Sequence, residues 1–111
     1  MDTNPIHPET RVGHVHLRVG DLERSITFYQ AILGFEVTQR IGDSAAFLGA
    51  GGYHHHIGLN TWESRGGTPP PPGSTGLYHA AFLYPTRTEL ARALRRLLDH
   101  GLGLDGAADH G

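Results

Sequence analysis

Nine histidines stand in a chain of 111 residues that contains no cysteine. They occupy positions 7, 14, 16, 54, 55, 56, 79, 100 and 110, and six of them (14, 16, 54, 55, 56 and 79) fall in apolar, strand-like runs. Imidazole ligates transition metals when neutral and exchanges protons near neutral pH, so its concentration in strands points to metal binding or acid–base chemistry. A single strand histidine is more often a half-buried, hydrogen-bonded residue than a ligand. His14 and His79 are different, because they align as equivalent positions of two similar segments, Gly13-His14-Val15-His16-Leu17 and Tyr78-His79-Ala80-Ala81-Phe82. The triple His54-His55-His56 is internal and flanked by strand sequence, which argues against an expression tag.

The elements that must position these residues follow from hydrophobic period. Val12 to Val19 alternates, with Val15, Leu17 and Val19 on one face and His14, His16 and Arg18 on the other. Asp21 then stands as an N-cap, and Leu22, Ile26, Tyr29 and Leu33 recur at helical spacing before Gly34 ends the helix. Phe35 to Ile41 and Ala45 to Leu48 predict a hairpin turning at Gly42-Asp43, and Tyr53 to Asn60 a fourth strand. Simple alternation in that strand puts His54, His56 and Asn60 on one face and His55 with Ile57 and Leu59 on the core side. A turn or bulge at Gly51-Gly52-Tyr53 would re-aim His55.

The pattern then restarts. Pro69 to Pro72 sit among Gly, Ser and Thr, which marks an exposed connector. Leu77 to Tyr84 predicts a strand. Thr86 and Glu89 form a capping-box signature for a helix carrying Leu90, Leu94, Leu97 and Leu98 and ended by Gly101. Its Arg87, Arg92, Arg95 and Arg96 are expected on a solvated face. The expected fold class is α+β in a single domain, residues 1–111. A complete βαβββ module (11–62) is followed by a Pro/Gly-rich linker (63–76) and an incomplete second module, βα only (77–111). A helix with so little sheet to cover leaves apolar area exposed, which suggests a piece of a longer protein or completion by another chain.

Composition excludes several classes. Hydrophobic residues make up 38%, too many for a disordered chain. The basic residues are nine arginines spread along the chain, and net charge is −2, so there is no basic stripe for nucleic acid. No apolar run approaches the about 18 residues of a membrane span. Absence of cysteine removes disulfides, thiolate ligands and cysteine nucleophiles, and fits a cytoplasmic protein.

The segments VGHVHLRVGDLERSITFYQAILGFEV, AAFLGAGGYHHHIGLN and GLYHAAFL resemble the vicinal oxygen chelate superfamily, which includes glyoxalase I, bleomycin-resistance proteins and extradiol ring-cleaving dioxygenases. HHHIGL followed by YHAAF is most similar to the catechol-type extradiol dioxygenases. The resemblance implies a cup-like sheet holding a divalent metal, Fe(II) first and Mn(II) or Zn(II) as alternatives. It implies His14 and His79 as ligands, His55 as the acid/base residue, and His16, His54, His56 and Asn60 as cavity residues. It further implies an enzyme acting on a small aromatic catechol-type substrate and O₂, and a homo-oligomer. The expected carboxylate ligand belongs to a strand that this sequence lacks, and His56 is a candidate substitute. The alternative is a glyoxalase- or bleomycin-resistance-like protein, either another metal enzyme or a non-catalytic small-molecule binder. The position of the glyoxalase glutamate falls near Gly58, which argues against glyoxalase chemistry. His7, His100 and His110 are expected to do nothing specific.

Overall fold

The computed structural model describes residues 3–107, so His110 lies outside the described residues. Strand β1 (Val15–Arg18) turns Val15 and Leu17 toward the core and leaves His16 and Arg18 exposed. Helix α1 (Leu22–Thr27) starts where the Asp21 side chain accepts the Arg24 N–H at 3.1 Å. It then widens into a π-helical turn, Phe28–Ile32, in which the Leu33 N–H reaches back to the Phe28 carbonyl at 3.2 Å. Unbroken α spacing would place Leu33 in the core. The wider turn buries Ile32 instead and leaves Leu33 half-buried.

Strands β2 (Glu36–Ile41) and β3 (Ala45–Gly49) form the expected hairpin, and β4 (Ile57–Asn60) pairs antiparallel with β3. The sheet order is β1-β4-β3-β2, with β1 parallel to β4. Helix α1 covers one face. Leu22 and Ile26 pack there on Ala46, Leu48, Ile57 and Leu59, and Leu48, Ile57 and Leu59 are fully enclosed. Removing such side chains from water stabilises by about 1.5–3 kcal/mol each, which makes this unit the stable part of the described chain.

The connector is less free than its composition suggests. Thr61 is buried, Ser64 Oγ donates to the Val19 carbonyl at 2.8 Å, and the Gly66 N–H donates to the Gly20 carbonyl at 2.7 Å. Residues 61–67 are thereby tied to the β1–α1 turn, and Pro69–Pro72 are exposed.

Beyond it, the expected strand Leu77–Tyr84 does not form. The period of two survives, because Phe82 and Tyr84 are half-buried while Leu83 is 99% exposed. Among the described residues, however, no backbone hydrogen bond ties this segment to a neighbour. A strand is a ladder between partners, and period alone cannot supply the partner. Helix α2 (Arg87–Asp99) does form, capped by Thr86, whose side chain accepts the Glu89 N–H at 3.2 Å. Glu89 pairs with Arg92 at 2.9 Å. The expectation for Arg96 is overturned: its guanidinium is half-buried and donates to the carbonyls of Ile32 (2.7 Å) and Leu33 (3.2 Å). Carbonyls at a helix end have no intrahelical donor, and a planar five-donor group can satisfy two of them together.

Candidate functional site

The sheet face opposite α1 carries a row of side chains across three strands. His16 of β1, Gly58 of β4 and Phe47 of β3 are register partners in sequence. Because Ala46 and Leu48 point into the core, Phe47 between them must point away from it. Its ring lies 5.9 Å from that of His16 and 4.9 Å from that of His55, centroid to centroid.

His55 therefore belongs to the open face, not to the core side that alternation gives it. The reason is the loop before β4. The chain folds back so closely on β3 that a Cβ at Gly49 would stand 2.4 Å from the Tyr53 carbonyl oxygen and 3.3 Å from the His55 Cα. Only glycine permits that approach. The Thr38 hydroxyl, at the register shift between Val37 and Gln39, fixes the loop by donating to the His54 carbonyl at 2.6 Å. Regular β4 pairing begins only at Ile57, so alternation does not reach residues 54–56.

Three imidazoles gather as a result. The His14 ring is 4.4 Å from that of His55 and 6.5 Å from that of His54, and Nδ1 of His54 and Nδ1 of His55 are 2.9 Å apart. That last contact is a hydrogen bond only if one nitrogen carries a proton and the other does not, so the two rings differ in their Nδ1 protonation. Burial holds the His55 imidazole below the usual histidine range, and the adjacent His14, His54, His16 and His56 also disfavour its charged form.

His56 goes elsewhere. Its ring lies by Tyr53 (4.5 Å) and Phe35 (5.8 Å), and its Nδ1 accepts the Ala50 N–H at 3.2 Å. It shares with His14 and Phe82 the lining of a cavity of about 540 Å³ that Asn60 does not line. Asn60 instead meets His16, with its Nδ2 2.8 Å from the imidazole Nε2. His79 stands on the exposed segment before α2, and its ring neighbour is Tyr78 at 5.4 Å. Among the described residues no three His, Cys, Asp or Glu side chains are placed to hold one ion. The described donors thus fall short of the metal centre that the resemblance implies.

Phe47, Gly58 and Trp62 are site residues that sequence reasoning did not single out for the open face. The signal for Phe47 was present in Ala46-Phe47-Leu48, a large residue alone on the face opposite two core residues. Trp62 lies 5.9 Å from His16 and donates its indole N–H to Ser44 Oγ at 3.2 Å. Nothing in the connector's composition announced it.

Fold and site together define a member of a known class. Residues 11–111 match the Glyoxalase/Bleomycin resistance protein/Dioxygenase superfamily, and the chain belongs to that superfamily. It is 40% identical over 98 residues to a catechol-2,3-dioxygenase of Bacillus subtilis (strain 168), covering 87% of this chain and 34% of that protein. It is 34% identical over 110 residues to a metapyrocatechase of Geobacillus stearothermophilus, covering 96% of this chain and 31% of that protein. The chain spans about a third of the length of these curated relatives. The crystal structure of a lactoylglutathione lyase from Agrobacterium tumefaciens shares the fold. Its TM-score is 0.63 at 19% identity, over 90% of this chain and 77% of that one. Among the described residues no helix is long and apolar enough to cross a membrane.

Proposed function

We propose that this chain is part of a ring-cleaving extradiol dioxygenase acting on a catechol-type aromatic substrate and O₂. The carrying observation is the gathering of His14, His54 and His55 beside Phe47 on the open sheet face, in a chain similar to proteins named as catechol dioxygenases. A flat aromatic substrate suits a wall of rings, and an imidazole held in its free-base form is equipped to accept a catechol hydroxyl proton. His55 has that role in this reading, since its burial and then its neighbours disfavour the charged form.

The proposed ion is Fe(II), with Mn(II) or Zn(II) as alternatives, and its proposed ligands are His14 and His79. Bound there, it would bring catecholate and O₂ together. Ligation requires His79 to leave its exposed position for the His14 side and a third donor from outside the described residues. A homo-oligomeric, cytoplasmic protein is proposed with it. Glyoxalase chemistry is disfavoured because Gly58, near which the resemblance puts the glyoxalase glutamate, offers no side-chain ligand.

Metal analysis of the anaerobically purified full-length protein, followed by exposure to catechol and air, tests ring cleavage. Bound iron and a yellow ring-opened product are expected. His14→Ala should abolish iron retention, whereas His55→Ala should keep the iron and lose on the order of 10²- to 10⁴-fold in rate. Absence of both metal and colour with several catechols would remove this function.

A further inference from the structure

We infer that Asn60 is a positioning residue that locks His16 as its Nδ1–H tautomer, reserving that N–H to donate to an oxygen substituent of the aromatic ligand. The orientation of the Asn60 amide follows from its other partner. The Trp62 backbone N–H is a donor and lies 3.1 Å from Asn60 Oδ1, so the oxygen must face Trp62. The amide nitrogen then faces His16 Nε2 at 2.8 Å. An amide nitrogen only donates, so Nε2 must offer a lone pair and the ring proton must sit on Nδ1. Asn60 is 8% exposed, and turning its amide over would set two donors against each other at the Trp62 N–H.

The ring plane is held as firmly as its tautomer. The Gly58 Cα lies under it, since an added Cβ there would come within 2.6 Å of Nδ1, 3.0 Å of Cγ and 3.1 Å of Cε1. Phe47 and Trp62 flank it, each with its centroid 5.9 Å away. With Nε2 occupied, His16 is removed from the ligating and proton-accepting work assigned to its neighbours. Its Nδ1–H has no acceptor among the described residues, and the side chain is exposed on the face that carries Phe47 and His55. The donor is therefore available to a ligand oxygen. The ligand part of this inference rests on the aromatic-substrate reading above, and the tautomer lock does not.

The lock is read on the full chain by nitrogen-15 NMR of the imidazole side chains, which separates the two neutral tautomers by the shifts of protonated and bare ring nitrogens. Wild-type protein should show His16 protonated on Nδ1. In Asn60→Asp a carboxylate oxygen faces Nε2 in place of the amide nitrogen, so the ring should switch to carry its proton on Nε2. An Nε2–H signal in the wild type, or an unchanged pattern in a folded Asn60→Asp, overturns the lock. The wild-type spectrum decides by itself if the variant does not fold. Catechol titration then reads the ligand role. His16→Phe keeps the ring and removes the donor, and should weaken catechol binding roughly three- to tenfold. Unchanged affinity overturns the donor role. Failure of catechol to bind the wild type overturns the aromatic-ligand reading while the tautomer result stands.

Discussion

In the first unit Leu48, Ile57 and Leu59 are enclosed between a helix and a four-stranded sheet, whereas in the second Leu83 is 99% exposed and Leu90 is 55% exposed on an apolar helix face. Both begin with a similar strand pattern and a capped helix. What separates them is the sheet. Residues 15–61 bring their own ladder partners, and residues 77–99 hold to the molecule by Phe82 against Phe35, the Tyr84 hydroxyl on the Leu33 carbonyl, and the Arg96 clamp. A sound local pattern builds a helix without help but cannot build a strand, because a helix closes its hydrogen bonds within itself.

The largest contrast expected is in the core. Leu59→Ala should lower unfolding free energy by about 2–5 kcal/mol, while Leu83→Ala should change it by no more than about 0.5 kcal/mol. Urea titration of both variants measures this, and comparable losses would end the distinction between the units. Next comes Gly58→Ala, whose methyl meets the His16 ring. A cost of about 1–3 kcal/mol is expected, with the His16 and Trp62 side-chain resonances displaced. Relief by a second change, His16→Ala, would show that the ring is what the methyl strikes.

The two helix caps sharpen the comparison. The Asp21 and Thr86 side chains accept equivalent N–H groups at 3.1 and 3.2 Å. Asp21→Ala should cost about 1 kcal/mol in the cooperative transition. Thr86→Ala should cost less there and appear instead as faster amide exchange confined to α2. The smallest effect is that of pH. His55 titrates lower in the folded state than in the unfolded chain, so the unfolded chain binds more protons between the two values. Its contribution is complete above the ordinary histidine pKa of about 6.5 and is lost as pH falls through the depressed folded value. His55→Phe should flatten the stability profile in that acid window, and an unaltered profile would count against the shift.

The legible part of the site was its inventory. His14, just before β1, and His16 on it meet the rings of His55 and Phe47, on the face that alternation assigns. His54, His55 and His56 precede the regular part of β4, and there a period of two misplaced both His55 and His56. Arg96 reads in sequence like its neighbours Arg92 and Arg95, and only the nearby carbonyls of Ile32 and Leu33 distinguish it.

Sequence alone was enough for the βαβββ order, the caps at Asp21 and Thr86, the hairpin at Gly42-Asp43 and the superfamily, since each depends on neighbours a few residues apart or on long shared motifs. Tertiary structure decided which imidazoles meet, the side taken by His55, and the failure of residues 77–84 to join a ladder. Those outcomes depend on one segment folding back over another at Gly49 and on strand partners distant in the chain, and residue period carries no information about either.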